Sequence, residues 1–253
     1  MITIGRMQAD TNELMVGYPE NSIERKIISG MSAAEGTYRF GSREELEFEV
    51  NLRTEIVNSA WALYRSNMDF AVFRESRCNP YYWRKTREGG FMLNESVSPY
   101  DAVIDIYTNG REYATECATA MIIVYYGALA KVYGKELFDS VFSFIHLMNW
   151  HYIDRNLKEI GYMIRPRAYL PGDRRYVVNP DVNPVTPEWR GENLIDLSDG
   201  KYYGHGIGVY TVEVFIRALN NNRREDADEE AYFMETAANP NYSHLYGIYR
   251  RYN

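Results

Sequence analysis

A chain of 253 residues, 45% hydrophobic and 25% charged, is long enough to bury a sizeable core and ordinary enough in composition to be globular. Its net charge of −7 argues against a phosphate-backbone binder, which needs a basic face, so nucleic acid is not an expected partner. Cys78 and Cys117, the only cysteines, cannot form a disulfide framework. The start MITIGRMQADTNEL has no apolar stretch behind a basic head, so no secretory signal is expected and the thiols should be reduced and cytoplasmic. The longest apolar run, Cys117 to Ala130, falls short of the roughly 18 residues of a spanning helix and predicts a buried helix, not a membrane segment.

Residues 1–40 show no strong periodicity and read as a segment wrapped around the main domain. Ser42 and Glu45 have capping-box spacing, and Leu52, Ile56, Val57, Ala60 and Leu63 follow at helical spacing. Leu46, Phe48, Val50 and Leu52 alternate like a strand, but the cap and the length favour helix. YYWRKTREGGFML predicts a hairpin around Gly89-Gly90. Ser98, Pro99 and Asp101 open a short helix that Asn109-Gly110 stops. A central helix is expected from about Thr115 to Tyr133, ended by Gly134, then an amphipathic helix from Lys135 to His146. Five prolines between 165 and 190 mark a long loop with one short strand, Tyr176–Val178. ENLIDLSDGKYYGHGIGVY predicts two strands around an Asp199-Gly200 turn, followed by a helix near Thr211–Leu219. REDADEE in the tail is a solvated charge run without the spacing of a calcium loop. Helices early and sheet late predict an α+β fold. We divide the chain into a wrapping segment (1–40), a core (41–221) and a C-terminal extension packed on the same domain (222–253).

Chemistry concentrates in two places. With Thr115 as N-cap, Cys117 lies in the first turn of the central helix, where free N–H groups and the helix dipole favour a thiolate. The adjacent Glu116 opposes this. A cysteine ahead of an apolar helix can also be plain core. In the predicted two-residue hairpin Leu194 faces His205 and Glu192 faces Ile207, which leaves Glu192 and His205 diagonal neighbours on one face. A helix-head cysteine packed on a sheet carrying His and Glu has the form of a papain-like thiol site. HExxH, paired CxxC and GxxxxGK[ST] motifs are absent, and the four histidines lack ligand spacing, so no metal or organic cofactor is expected.

YATECATAMIIVYYGAL, NWHY, WRGENLI and YYGHGIGV, in this order, resemble the bacterial spore-coat transglutaminases (protein-glutamine γ-glutamyltransferases), the likeness running from about Glu45 to Leu219. The resemblance implies a single calcium-independent domain with an NlpC/P60-like, papain-related core and a nucleophile helix packed on an antiparallel sheet. It implies Cys117 as nucleophile, Glu192 as principal general base, Glu116 as a partly redundant second carboxylate and His205 as an accessory. Phe70, Trp150 and Trp189 are implied to line the passage to the thiol. Thr115 stands where the family usually has an aromatic residue, and Asn149 where it has aspartate. The expected partners are glutamine- and lysine-bearing proteins of the spore coat, met in the mother cell and then on the coat. A cysteine peptidase or amidase of the same core, or an inactive coat structural protein, stays open as an alternative.

Overall fold

Ser42 starts the first long helix by accepting the Glu45 N–H at 3.3 Å, while the Glu45 carboxylate turns back to the Gly41 N–H at 2.7 Å. What precedes that cap is more structured than its patterning suggests. The computed structural model describes residues 1–252, beginning with an antiparallel pair, β1 (Ile2–Ile4) and β2 (Met7–Gln8), in which Thr3 faces Gln8. Helices α1 (Thr11–Leu14) and α2 (Ile23–Ala33) follow, and β3 (Tyr38–Phe40) returns parallel to β1. Ile2, Leu14, Ile27, Ile28, Met31 and Phe40 close a small core against the following helix. Strands of two or three residues and a helix with three buried positions are too short for hydrophobic periodicity to detect.

Helix α3 (Arg43–Arg65) resolves the strand-like alternation near its start: Leu46 and Val50, four apart, bury in the small core, and Phe48 and Leu52 in the main one. Further along, Arg53 is buried between Glu49 at 2.9 Å and Asp173 at 2.7 Å. Strand β4 (Asp69–Phe70) leads to β5 (Trp83–Lys85) and β6 (Phe91–Leu93), the hairpin expected around Gly89-Gly90, with Lys85 facing Phe91 across a loop at 86–90. Helix α4 (Pro99–Thr108) has the expected Ser98 cap, and β7 (Ala114–Thr115) pairs with β4 in parallel.

Helix α5 (Cys117–Val141) is the centre of the molecule, packed on α3 and α4, with residues 118–130 buried on every side. Gly134, at φ 71° and ψ 168°, breaks its regular geometry where the sequence placed a helix end. The second stretch ends at Val141 and not at His146, which instead enters β8 (His146–Leu147) beside β6. Counted across the kink, α5 is long and apolar enough to cross a membrane, but 78% of its apolar window is buried inside the fold. It is a core helix.

The second half supplies β9 (Arg174–Val178), β10 (Gly191–Asp196), β11 (Tyr202–Gly204), β12 (Gly208–Tyr210), α6 (Val212–Asn220), β13 (Tyr232–Phe233) and α7 (Tyr242–Tyr252). These strands form an antiparallel sheet in the order β12-β11-β10-β9-β13. Ile195, Leu197 and Tyr203 join the main core around α5, whereas Val177 and Leu194 pack with Phe215 and Leu219 of α6 on the other face. The fold is α+β, as helices early and strands late predicted. Part of the acidic run near the C-terminus is not free in solvent: Asp181 accepts the Asp228 and Glu229 N–H groups and pairs with Arg224 at 2.8 Å.

The β10–β11 hairpin departs from expectation by one residue. Asp196 accepts the Ser198 N–H at 2.8 Å and draws Ser198 into the loop, so Ser198, Asp199 and Gly200 all take positive φ and Leu197 bonds to Lys201. Leu194 therefore pairs with Gly204, not His205. A one-residue slip exchanges faces, and the residue in register with His205 is Asn193 instead of Leu194.

Candidate active site

Strand β10 pairs with β9 down to Gly191, opposite Val178, whereas β11 leaves it beyond the Leu194–Gly204 pair. Gly191, Glu192 and Asn193 thus have an unladdered edge on that side. Cys117, the first residue of α5, meets this edge. Asn193 turns its backbone N–H and its side-chain amide to the sulfur, with Nδ2 at 3.6 Å from Sγ. Cys117 as a residue is half-buried.

The cap at this helix head is Glu116, not Thr115, which belongs to β7. Glu116 Oε2 accepts the Ala118 N–H at 2.6 Å, and Oε1 accepts the Thr119 N–H at 2.7 Å and the Thr119 hydroxyl. A helix head normally favours a thiolate, but here the dipole is answered by a carboxylate. Burial, then Glu192 and Glu116, push the Cys117 thiol well above its ordinary range. Cys117 rests as a neutral thiol, against the expectation from helix position alone.

Glu192 is 6% exposed, and its Oε1 has no hydrogen-bond partner among the described residues. Burial and the nearby Glu116 push its carboxyl well up, while contact with the Cys117 thiol and the His205 N–H pulls the other way. Room for it comes from Gly204, where a Cβ would sit 2.9 Å from Oε1 and 2.5 Å from the Phe215 ring. The thiol and this carboxyl thus lie together, and burial makes both resist ionisation.

His205 approaches the pair through its backbone, not its ring. Its Nε2 donates to the Asp69 carbonyl at 3.1 Å and its Nδ1 accepts the Tyr203 hydroxyl at 2.9 Å, so both ring nitrogens are engaged. Burial holds its pKa down at about 4, so the ring is neutral near pH 7. By gripping the residue before Phe70 it fixes that ring, which is 41% exposed, 6.2 Å from the imidazole and packed on Gly206. A Cβ on Gly206 would fall 2.9 Å from Phe70, and φ there is 93°.

Further residues hold the site in place, and of these Arg174 lies outside every motif read from the sequence. Arg174, 3% exposed, donates to Asn193 Oδ1 at 2.6 Å and to the Ile160 carbonyl at 2.8 Å, with its guanidinium 4.3 Å from the Trp150 ring centre. Among the described residues it has no carboxylate partner within ion-pair distance, and burial lowers its pKa. Arg174 thereby fixes the Asn193 amide with its NH2 toward the sulfur and braces Trp150 from behind. Asn149 holds the other side of that tryptophan: its Oδ1 accepts the Trp150 N–H at 2.6 Å and its own N–H donates to Thr119 Oγ1 at 2.8 Å. Arg and Asn on a strand and a loop look like surface residues in sequence, and only an unusual apolar neighbourhood hints otherwise. Trp189 is placed differently from Phe70 and Trp150. It lies on the single turn Pro187–Arg190 and packs with Val177, Leu194 and Phe215, on the face of the sheet away from α5.

The arrangement brings together a thiol, a buried carboxyl of raised pKa and an amide donor facing the sulfur, groups able to serve nucleophilic and acid–base chemistry. Among the described residues no group of three or more His, Cys, Asp and Glu could hold a metal ion.

Known proteins match this chain along nearly all its length. The family model described as protein-glutamine gamma-glutamyltransferase matches residues 1–249, further in both directions than the motifs between Glu45 and Leu219. A protein-glutamine gamma-glutamyltransferase of Bacillus cereus (strain AH820) is 43% identical over 239 residues, which is 93% of this chain and 84% of that protein. One from Bacillus mycoides (strain KBAB4) is 42% identical over 238 residues, with the same coverage of both chains. The solved structure of a transglutaminase from Geobacillus stearothermophilus, without its C-terminal extension, superposes with a TM-score of 0.76 at 41% identity, over 81% of this chain and 97% of that one.

Proposed function

We propose, for a chain that belongs to the protein-glutamine gamma-glutamyltransferase family and is therefore a transglutaminase, that it joins glutamine to lysine side chains through a thioester on Cys117, without calcium. The observation that carries this reading is the neutral thiol of the half-buried Cys117 set against a buried carboxyl of raised pKa at the open edge of β10.

As the sulfur attacks the glutamine Cδ, its proton passes to Glu192, and the tetrahedral oxyanion takes hydrogen bonds from amide donors such as Asn193 Nδ2. Glu192 returns that proton to the departing amine, ammonia leaves, and the acyl group stays on Cys117 as a thioester. A lysine amine then attacks the thioester carbon and yields its proton to Glu192. The C–S bond breaks, the thiolate recovers the proton, and an isopeptide bond remains. A carboxyl with an ordinary pKa would be too weak a base for these transfers near neutrality; burial corrects this.

Lysine arrives almost wholly protonated, with a reference pKa of about 10.4. Water competes with it for the thioester. Phe70 and Trp150, braced by His205 and Arg174, suit a dry approach that favours the neutral amine, and Trp189 belongs to the same proposal through the family resemblance alone. Glu116 acts mainly as the helix cap and, through its charge, as a brake on ionisation of its neighbours; a share in proton transfer stays within the proposal. Activity without calcium rests on the family resemblance. The motif resemblance to spore-coat enzymes supports substrates in the coat and a route from mother-cell cytoplasm to coat.

The test is incorporation of a labelled primary amine into a glutamine-bearing protein in the presence of a calcium chelator. Incorporation with ammonia release, lost in Cys117→Ala, is the expected result. Hydrolysis without incorporation would assign an amidase or peptidase instead, and unchanged cross-linking by Cys117→Ala would reduce the chain to a scaffold. A fluorescent fusion in sporulating cells that never reaches the coat would refute the proposed location.

A further inference from the structure

A catalyst that consumes glutamine and lysine side chains meets the same groups on its own surface. This chain has one glutamine, Gln8, and six lysines against 22 arginines. Arginine cannot replace lysine as an acceptor, because its guanidinium stays protonated and offers no free amine. Three of the six lysines are also engaged. Lys26 pairs with Asp199 at 2.7 Å, and Lys85 donates to the Arg74 and Ser76 carbonyls at 2.9 and 2.6 Å. Lys135 is held by Asp101, which keeps it protonated. Lys131, Lys158 and Lys201 are exposed.

Gln8 is presented as a donor must be. It is exposed on β2, the outer strand of the sheet β2-β1-β3, so its backbone is extended and one edge is unpaired. Met7 beside it is 76% exposed. An extended, exposed segment is what can enter a passage to a recessed thiol side chain first. The segment does not swing freely. Ile2 is 1% exposed, and the N-terminal amine donates to the Ser32 carbonyl at 2.7 Å. That anchorage is to α2 and α3, whereas the thiol lies at the β10 edge.

We propose that Gln8 is the enzyme's single self-modification site, an acyl donor that reacts at Cys117 of a second copy and is joined to an exposed lysine. This rests on the thioester mechanism above. The Gln8 Cδ–N bond breaks and ammonia leaves as the C–S bond forms. The lysine nitrogen then forms a C–N bond, the C–S bond breaks, and the amine proton returns to the thiol. One donor per chain limits each copy to one outgoing bond, so copies join as chains or branches with about one bond per copy and not as a dense network.

The experiment incubates the enzyme with a labelled primary amine, alone and with a glutamine-bearing peptide, and compares Gln8→Asn. The expected result is one amine per chain, mapped to Gln8, absent from Gln8→Asn, with equal peptide labelling by both. Self-labelling per enzyme should rise in proportion to enzyme concentration; a rate unchanged by dilution would overturn transfer between copies. Labelled peptide with an unlabelled wild-type chain would overturn the Gln8 site while leaving the transglutaminase mechanism intact. If neither is labelled, the mechanism itself fails and the site falls with it.

Discussion

Replacing Glu192 with glutamine keeps the shape of the buried side chain and removes its proton chemistry. An ordinary thiol with a pKa near 8.5 is about 10% ionised at pH 7.5. Cys117 is pushed above that range, so it depends on Glu192 to deprotonate it during attack. Losing a positioned base typically costs about 10²–10⁴-fold. The substitution also removes the charge that most opposes thiolate formation after burial itself, which returns part of that loss. The net expectation is a fall in kcat/KM of about 10²–10³, or about 3–4 kcal/mol of transition-state stabilisation. Amine incorporation at pH 7.5 measures the fall. Alkylation of Cys117 by iodoacetamide between pH 6 and 10, followed on its own peptide to exclude Cys78, should show the midpoint moving down. Activity within about threefold of the parent, or an alkylation midpoint that moves up, would refute the reasoning. Thermal stability should be equal or higher at pH 8. The raised pKa of Glu192 means that folding binds a proton, so the parent loses stability as pH climbs from the ordinary carboxyl range toward the folded value, and the glutamine does not.

Glu116→Gln loses part of the helix cap, at a cost of about 1 kcal/mol in unfolding experiments, and should impair activity less than Glu192→Gln; the opposite order would transfer the base role to Glu116. His205→Gln should leave the shape of the rate profile between pH 5.5 and 8 unchanged, because His205 is already neutral there. Its folded pKa of about 4 lies below the unfolded value of 6.5, so its stability contribution is complete above 6.5 and is lost as pH falls through 4. The variant should be less acid-sensitive by up to about 3 kcal/mol in pH-dependent denaturation. Arg174→Met should lower kcat by about 10–100-fold with a smaller change in KM, by freeing the Asn193 amide. Asn193→Ala should lose a similar amount and the double variant little more, whereas additive losses would show that the two residues act separately.

Local signals in the sequence determined whatever depends on neighbouring residues. Ser42 and Ser98 cap the helices they were expected to cap, Gly134 breaks the central helix, and Asp199-Gly200 lies in a β-turn. The ordered motifs around Cys117 and Glu192 pointed to the family whose model spans residues 1–249. Other features were decided by atoms distant in the chain. Divergence of β11 from β10 made the edge where Asn193 meets Cys117, 76 positions away. Burial, then the charges of Glu192 and Glu116, reversed the expected ionisation of the thiol, and Glu192 comes from a strand 75 positions away. Arg174 has meaning only through Asn193 and Trp150, which lie 19 and 24 positions away on other elements. Caps and turns are contacts between residues near in sequence. A proton's preference within a buried pair is set by every charge and dipole packed around it, and only the tertiary structure brings those together.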